Sequence, residues 1–301
     1  MHIDKSYQEI FVANKMRTII YILLGFTLFS CKPSQADKSK ILTVTIDPQK
    51  YFLSTIVGNH FKVECIVPSG SNPESADFTP SQMMSLNKSL AYFKIGYMGI
   101  ENTLIDKVSQ SNSNLKIVNC SEGIEVLGEH NCEGDDHDHG HAEGDPHTWS
   151  SIKSAKIIAG NMYKAVLELD NANASDYTAN YNKLLTEINQ TDSIVKSYLE
   201  KAPGKSFIIY HPALTYFAEE YGLAQYAIEY EGKNPSPSQL KELIDKAKEE
   251  GIKVVFIQRE FDVKNAETVA QAIGAKTVQL NLLSYDWSQE MINIAKALAQ
   301  E

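Results

Sequence analysis

Residues 175–201 read SDYTANYNKLLTEINQTDSIVKSYLEK, with no glycine or proline among them. Tyr177, Tyr181, Leu184, Leu185, Ile188, Val195, Tyr198 and Leu199 fall on one stripe, the pattern of a single helix face. At 1.5 Å per residue that helix is about 40 Å long, and Pro203-Gly204 ends it. On its N-terminal side, short apolar runs at 41–46, 62–67, 90–95 and 115–118 read as strands, with a helical stretch at 98–108 and another at 150–169. On its C-terminal side, strands are expected at 206–210, 253–258 and 276–280. Helices are expected at 212–221, 237–251, 263–273 and 287–299. Ser236-Pro237-Ser238-Gln239 carries the signs of a helix start: a capping serine, proline at the first position, glutamine three residues on. Strands alternating with helices argue for parallel sheets covered by helices. The expected fold is α/β: two lobes, 41–174 and 202–301, each with a parallel sheet, joined by one long rigid helix at 175–201, with the ligand site in the cleft between them.

Upstream of the first strand, Met16-Arg17 precede TIIYILLGFTLFS at 18–30, thirteen uncharged and mostly apolar residues. About 20 are needed to span a bilayer, so a short positive segment, a short apolar run and then small residues read as a secretory signal. Leu28-Phe29-Ser30-Cys31 resembles a bacterial lipobox, in which Cys31 is the lipidated first residue of the mature chain. Residues 31–40 are then a polar tether from lipid to domain. A net charge of −10 argues against nucleic acid and is compatible with a cation ligand. Beyond Cys31 the cysteines are Cys65, Cys120 and Cys132, an odd number that permits one disulfide at most. Cys65 and Cys120 sit in strand-like apolar runs and read as small core residues.

Five of the eight histidines lie between 130 and 147. His137, His139 and His141 alternate with Asp138 and Gly140 in a stretch, 129–145, too polar to bury a core. Such a segment can wrap a cation and collect Zn²⁺ loosely; His130 and Cys132 are adjacent. His147 is placed differently: it ends Asp145-Pro146-His147 just before a helix, and the proline stiffens its approach. His211 follows the apolar strand at 206–210, where open α/β sheets place their ligands. One imidazole from each lobe makes a metal site in the cleft plausible, since neutral imidazole is a good Zn²⁺ ligand.

These motifs together make residues 41–301 resemble the substrate-binding proteins of zinc and manganese ABC importers, the ZnuA-like cluster A-I family. Val67-Pro68-Ser69-Gly70, Phe78-Thr79-Pro80-Ser81-Gln82, the His-rich run into Asp145-Pro146-His147-Thr148-Trp149, the segment from His211 to Ala218 with Tyr221-Gly222-Leu223, and Pro235-Ser236-Pro237 carry the resemblance. It implies a metal between the lobes, held by three histidines plus a carboxylate or water. His147 and His211 match two of those positions. Glu74, in Pro73-Glu74-Ser75-Ala76-Asp77-Phe78-Thr79-Pro80, stands where the family has its first histidine, with Asp77 as the fallback. Asn281 aligns with the fourth-ligand position and Gln258 with a frequent glutamate; Glu260 is nearby in sequence.

Two histidines and a carboxylate favour Zn²⁺ over Mn²⁺, which prefers more oxygen. The resemblance further implies a permease and its cytoplasmic ATPase as partners, a monomeric extracytoplasmic protein anchored by lipid, and no catalysis. A manganese carrier, a zinc-storing surface lipoprotein or adhesin, and a zinc hydrolase are the rival readings. The last is disfavoured by the lack of a His-Glu-x-x-His helix, a Gly-x-Ser-x-Gly elbow or a phosphate loop.

Overall fold

The computed structural model describes residues 40–67, 70–73, 78–127, 144–230, 232–261 and 264–300. Its N-terminal lobe opens with β1 (Ile41–Val44), α1 (Asp47–Val57) and β2 (Lys62–Cys65). It continues with α2 (Pro80–Asn87), β3 (Ala91–Lys94), α3 (Gly99–Ser109), β4 (Lys116–Asn119) and, after a 3₁₀ turn at Thr148–Ser150, α4 (Ile152–Leu169). The strands are all parallel, in the order β2-β1-β3-β4.

The expected long helix is α5, Ala174–Leu199, whose 26 residues span about 39 Å. Its buried face is Tyr177, Leu184, Ile188, Thr191, Val195 and Leu199. Beyond it come β5 (Ser206–Ile209), α6 (Thr215–Tyr221), β6 (Ala224–Ala227) and α7 (Pro237–Glu249). Then follow β7 (Val254–Gln258), α8 (Lys264–Ile273), β8 (Lys276–Leu280) and α9 (Trp287–Leu298). This second sheet is also parallel, in the order β6-β5-β7-β8. Both sheets therefore place their first strand second in the row, flanked by the strand that follows it and the one after that.

Three elements were not anticipated from the sequence. In α2, Thr79 accepts from the Gln82 amide and the Gln82 side chain returns to the Thr79 N–H. This is the same capping box, with Pro80 at the first position, that Ser236 and Gln239 form at the start of α7. In α1, Pro48 at the first turn is pre-set for a helix start. β6 reads Ala-Gln-Tyr-Ala, an edge strand with a weak pattern that is paired on β5 alone.

One apolar core runs through both lobes. Phe52 and Leu53 of α1, Ile188 and Val195 of α5, Phe207 and Phe256 of the second sheet and Met291 and Ile294 of α9 belong to it. The tryptophans stitch it together. Trp149 donates its indole N–H to the Leu282 carbonyl (2.9 Å), and Trp287 donates to the Trp149 carbonyl (2.7 Å) while its ring meets Phe52 edge-on at 5.1 Å. At about 25 cal/mol per Å² of apolar surface, a shared core of this kind resists separation of the lobes. No helix of the described residues is long and apolar enough to cross a membrane.

Candidate metal centre

His211 follows β5, and its main chain is fixed from β7. The Gln258 side chain accepts from the His211 N–H (3.2 Å) and donates its amide to the His211 carbonyl. Its ring is fixed from β6: Nδ1 lies 3.2 and 3.3 Å from the two carboxylate oxygens of Glu229. Phe261 stacks on the imidazole at 5.2 Å and 18°. An imidazole whose Nδ1–H donates to a carboxylate keeps the lone pair of Nε2 for a cation.

His147 is built the same way from a different element. Asp145, two residues earlier, accepts both the His147 backbone N–H (2.8 Å) and Nδ1 (2.7 Å). Asp145 is in turn fixed by Tyr216, whose hydroxyl donates to its carbonyl (2.7 Å), and by its own N–H on the Leu127 carbonyl (2.8 Å). Burial pushes the Asp145 carboxyl up, but the charge of His147 and its hydrogen bonds outweigh that and hold it below the usual range. The pair is buried, with 8% and 7% of the two side chains exposed.

The two rings meet edge-on with centroids 5.0 Å apart. They face a cavity of about 30 Å³, lined also by Asn72, Pro73, Trp149, Ala213, Gln258, Glu260, Phe261, Leu282 and Leu283. That is room for water or a small ion, and it is below the range of pockets that hold drug-sized organic ligands. A cavity lined by two imidazoles and a glutamate has the donor types that take a cation. Among the described residues no three His, Cys, Asp or Glu side chains are grouped so that they could hold a metal ion.

The structure brings the rings of His147 and His211 together at one cavity, whose lining also includes Glu260. Asn281 does not line the cavity; its N–H donates to Glu290 at the start of α9 (2.6 Å). Glu74 and Asp77 lie outside the described residues, as do Cys31, His130, Cys132, His137, His139 and His141. The orienting roles of Glu229, Asp145 and Gln258 were not read from sequence. Glu229 follows β6, an edge strand with little apolar pattern, so no local signal places it. Asp145 was within reach, since an acid two residues before a histidine can return to its ring.

Two parallel α/β lobes are thus mounted on one long helix, with two carboxylate-held imidazoles turned to a small cavity between them. The family model for the periplasmic zinc-uptake complex component A matches residues 42–300, and the chain belongs to that family. It is accordingly an extracytoplasmic zinc-binding component of an ABC metal importer and not an enzyme. The high-affinity zinc uptake system protein ZnuA of Bacillus subtilis (strain 168) is 31% identical over 263 residues, covering 83% of this chain and 80% of that protein. A crystal structure of ZnuA superposes with a TM-score of 0.80 at 34% identity, covering 87% of this chain and 98% of that one. A zinc-bound ZnuA deletion mutant gives 0.79 at the same identity, covering 87% and 97%.

Proposed function

We propose that this chain takes Zn²⁺ between His147 and His211, with Glu74 as a third donor, and delivers it to a membrane permease powered by a cytoplasmic ATPase. The observation that carries the reading is the pair of imidazoles, one from each lobe, each with Nδ1 held by a carboxylate and both facing the same small cavity. Pro73 lines that cavity and is followed directly by Glu74, which supports the carboxylate at this position. His137, His139 and His141 act as a loose collector that raises the local Zn²⁺ concentration. Cys31 carries the lipid that keeps the protein at the membrane surface. Because the lobes share one core around α5, capture orders loops and moves the lobes modestly rather than closing a wide hinge.

The test is Zn²⁺ stoichiometry and competitive affinity of the purified chain beside Glu74→Ala and a deletion of residues 131–144. One tight equivalent that is weakened in Glu74→Ala and kept in the deletion supports the cleft site. Binding that survives Glu74→Ala and vanishes with the loop makes the protein a His-loop zinc buffer instead.

A further inference from the structure

The turn that leaves β7 converges on His211. Its first residue, Gln258, clamps the His211 main chain, and its last, Phe261, stacks on the ring. A hydrogen bond from the Phe261 N–H to the Gln258 carbonyl (3.2 Å) closes the turn, and the Arg259 N–H on the Leu280 carbonyl (3.0 Å) ties it to β8. Between Arg259 and Phe261 stands Glu260, whose side chain lines the cavity that His147 and His211 face. Its Oε2 is buried, and among the described residues it meets no hydrogen-bond donor. An acceptor withdrawn from water with no donor is costly, and this one belongs to a cavity that two imidazoles also line.

We propose that Glu260 is a direct carboxylate donor to the captured cation, in the role the sequence had suggested for Asn281. The inference rests on the cleft reading of zinc capture. A carboxylate binds Zn²⁺ at about 2.0–2.2 Å and offsets charge on the dication, which a neutral amide does not. Three further observations favour Glu260 over Asn281. Glu260 lines the cavity and Asn281 does not. The Asn281 main chain is tied to Glu290 instead. The Glu260 turn is also built around a histidine that already faces the site. An added oxygen donor makes the site more tolerant of Mn²⁺, while the stability order of the divalent ions keeps Zn²⁺ ahead.

The full chain would be compared with Glu260→Gln, Glu260→Cys and His211→Ala in competitive titrations with Zn²⁺ and Mn²⁺ and in Co²⁺ absorption spectra. Glu260→Gln is expected to weaken Zn²⁺ by on the order of 100-fold, at or above the range for loss of an outer-shell partner, and to weaken Mn²⁺ more. Glu260→Cys with Co²⁺ is expected to show a thiolate-to-cobalt charge-transfer band that the parent chain lacks. Weaker binding in Glu260→Gln without that band would make Glu260 a positioning residue and overturn the donor role. Unchanged binding in Glu260→Gln, with binding lost in His211→Ala, would overturn the inference and leave the cleft standing. Parent-like binding in His211→Ala would overturn the cleft reading, and the inference with it.

Discussion

The two lobes repeat one strand order and use it for different ends. At the C-terminal end of the N-terminal sheet, the polar groups hold the lobe itself. Glu101, fully buried, accepts the Ile95 and Gly96 N–H groups (both 2.7 Å) and the Thr45 hydroxyl. Gln49 accepts from the Thr45 and Ile46 amides and donates to the Phe93 carbonyl. At the same end of the C-terminal sheet, Gln258 and Glu229 converge on His211 and hold its ring toward the cavity. The buried polar groups at one sheet end bind their own backbone and those at the other hold a histidine at the cavity, to which the loop after β2 also brings Asn72 and Pro73. The N-terminal lobe contributes its histidine from the loop ahead of α4, not from a strand. Topology thus selects the place for a site, and the side chains at each strand end decide whether the place is used.

Breaking the backbone-bound end has the largest expected effect. Glu101→Ala leaves the buried Ile95 amide and the partly buried Gly96 amide without their acceptor, at about 1–3 kcal/mol for the buried one. Urea unfolding should register that loss while zinc affinity per folded molecule is unchanged. The histidine end should respond the other way. Gln258→Ala and Glu229→Gln each release His211 from one restraint and should lower Zn²⁺ affinity about 10- to 100-fold, and Glu229→Gln, which leaves the backbone bonds of Gln258 in place, should do so with only a small change in the unfolding midpoint. If Glu101→Ala weakened zinc binding as strongly as Gln258→Ala, the division between a structural end and a ligand end would fail.

The seam between the lobes is a smaller term. Trp287→Phe removes the indole bond to the Trp149 carbonyl and should cost about 1 kcal/mol, read by thermal unfolding of the metal-free chain.

A further effect is one of pH and is confined to alkaline solution. Burial, followed by the charge of Asp47, pushes the Cys65 thiol from its ordinary 9 up to about 12. A raised thiol favours the fold in its neutral form. That contribution is intact below pH 9 and is lost as pH climbs toward about 12. At pH 9 the folded chain should therefore alkylate at Cys65 at least about tenfold more slowly than the chain in denaturant. Equal rates would contradict the burial of this strand end.

Much of the frame was legible because it rests on periodicity. The 3.6-residue stripe of α5 and the short apolar strands are local signals, and the Ser236 cap is a local chemical one. The cap at Thr79 is the same local signal, set ahead of a helix of only eight residues. β6 was not visible, because an edge strand paired on one side needs little apolar pattern. At the site, His147 and His211 could be picked out by their place at a loop end and a strand end. Their carboxylate partners divide by distance along the chain. Asp145 is two residues from its histidine and could have been inferred, whereas Glu229 reaches His211 only because β6 lies beside β5. Glu260 and Asn281 both follow a strand of one sheet, β7 and β8. Only the packing of the turn after β7 shows which of the two faces the cavity.

The central claim is that the ion is held in the cleft by the two carboxylate-backed histidines rather than by the His-rich run. It is tested most directly by competitive Zn²⁺ titration of His211→Ala beside the deletion of residues 131–144. The cleft account predicts that His211→Ala loses the tight equivalent while the deletion retains it. A deletion that abolishes tight binding, beside a His211→Ala chain that binds like the parent, would contradict it.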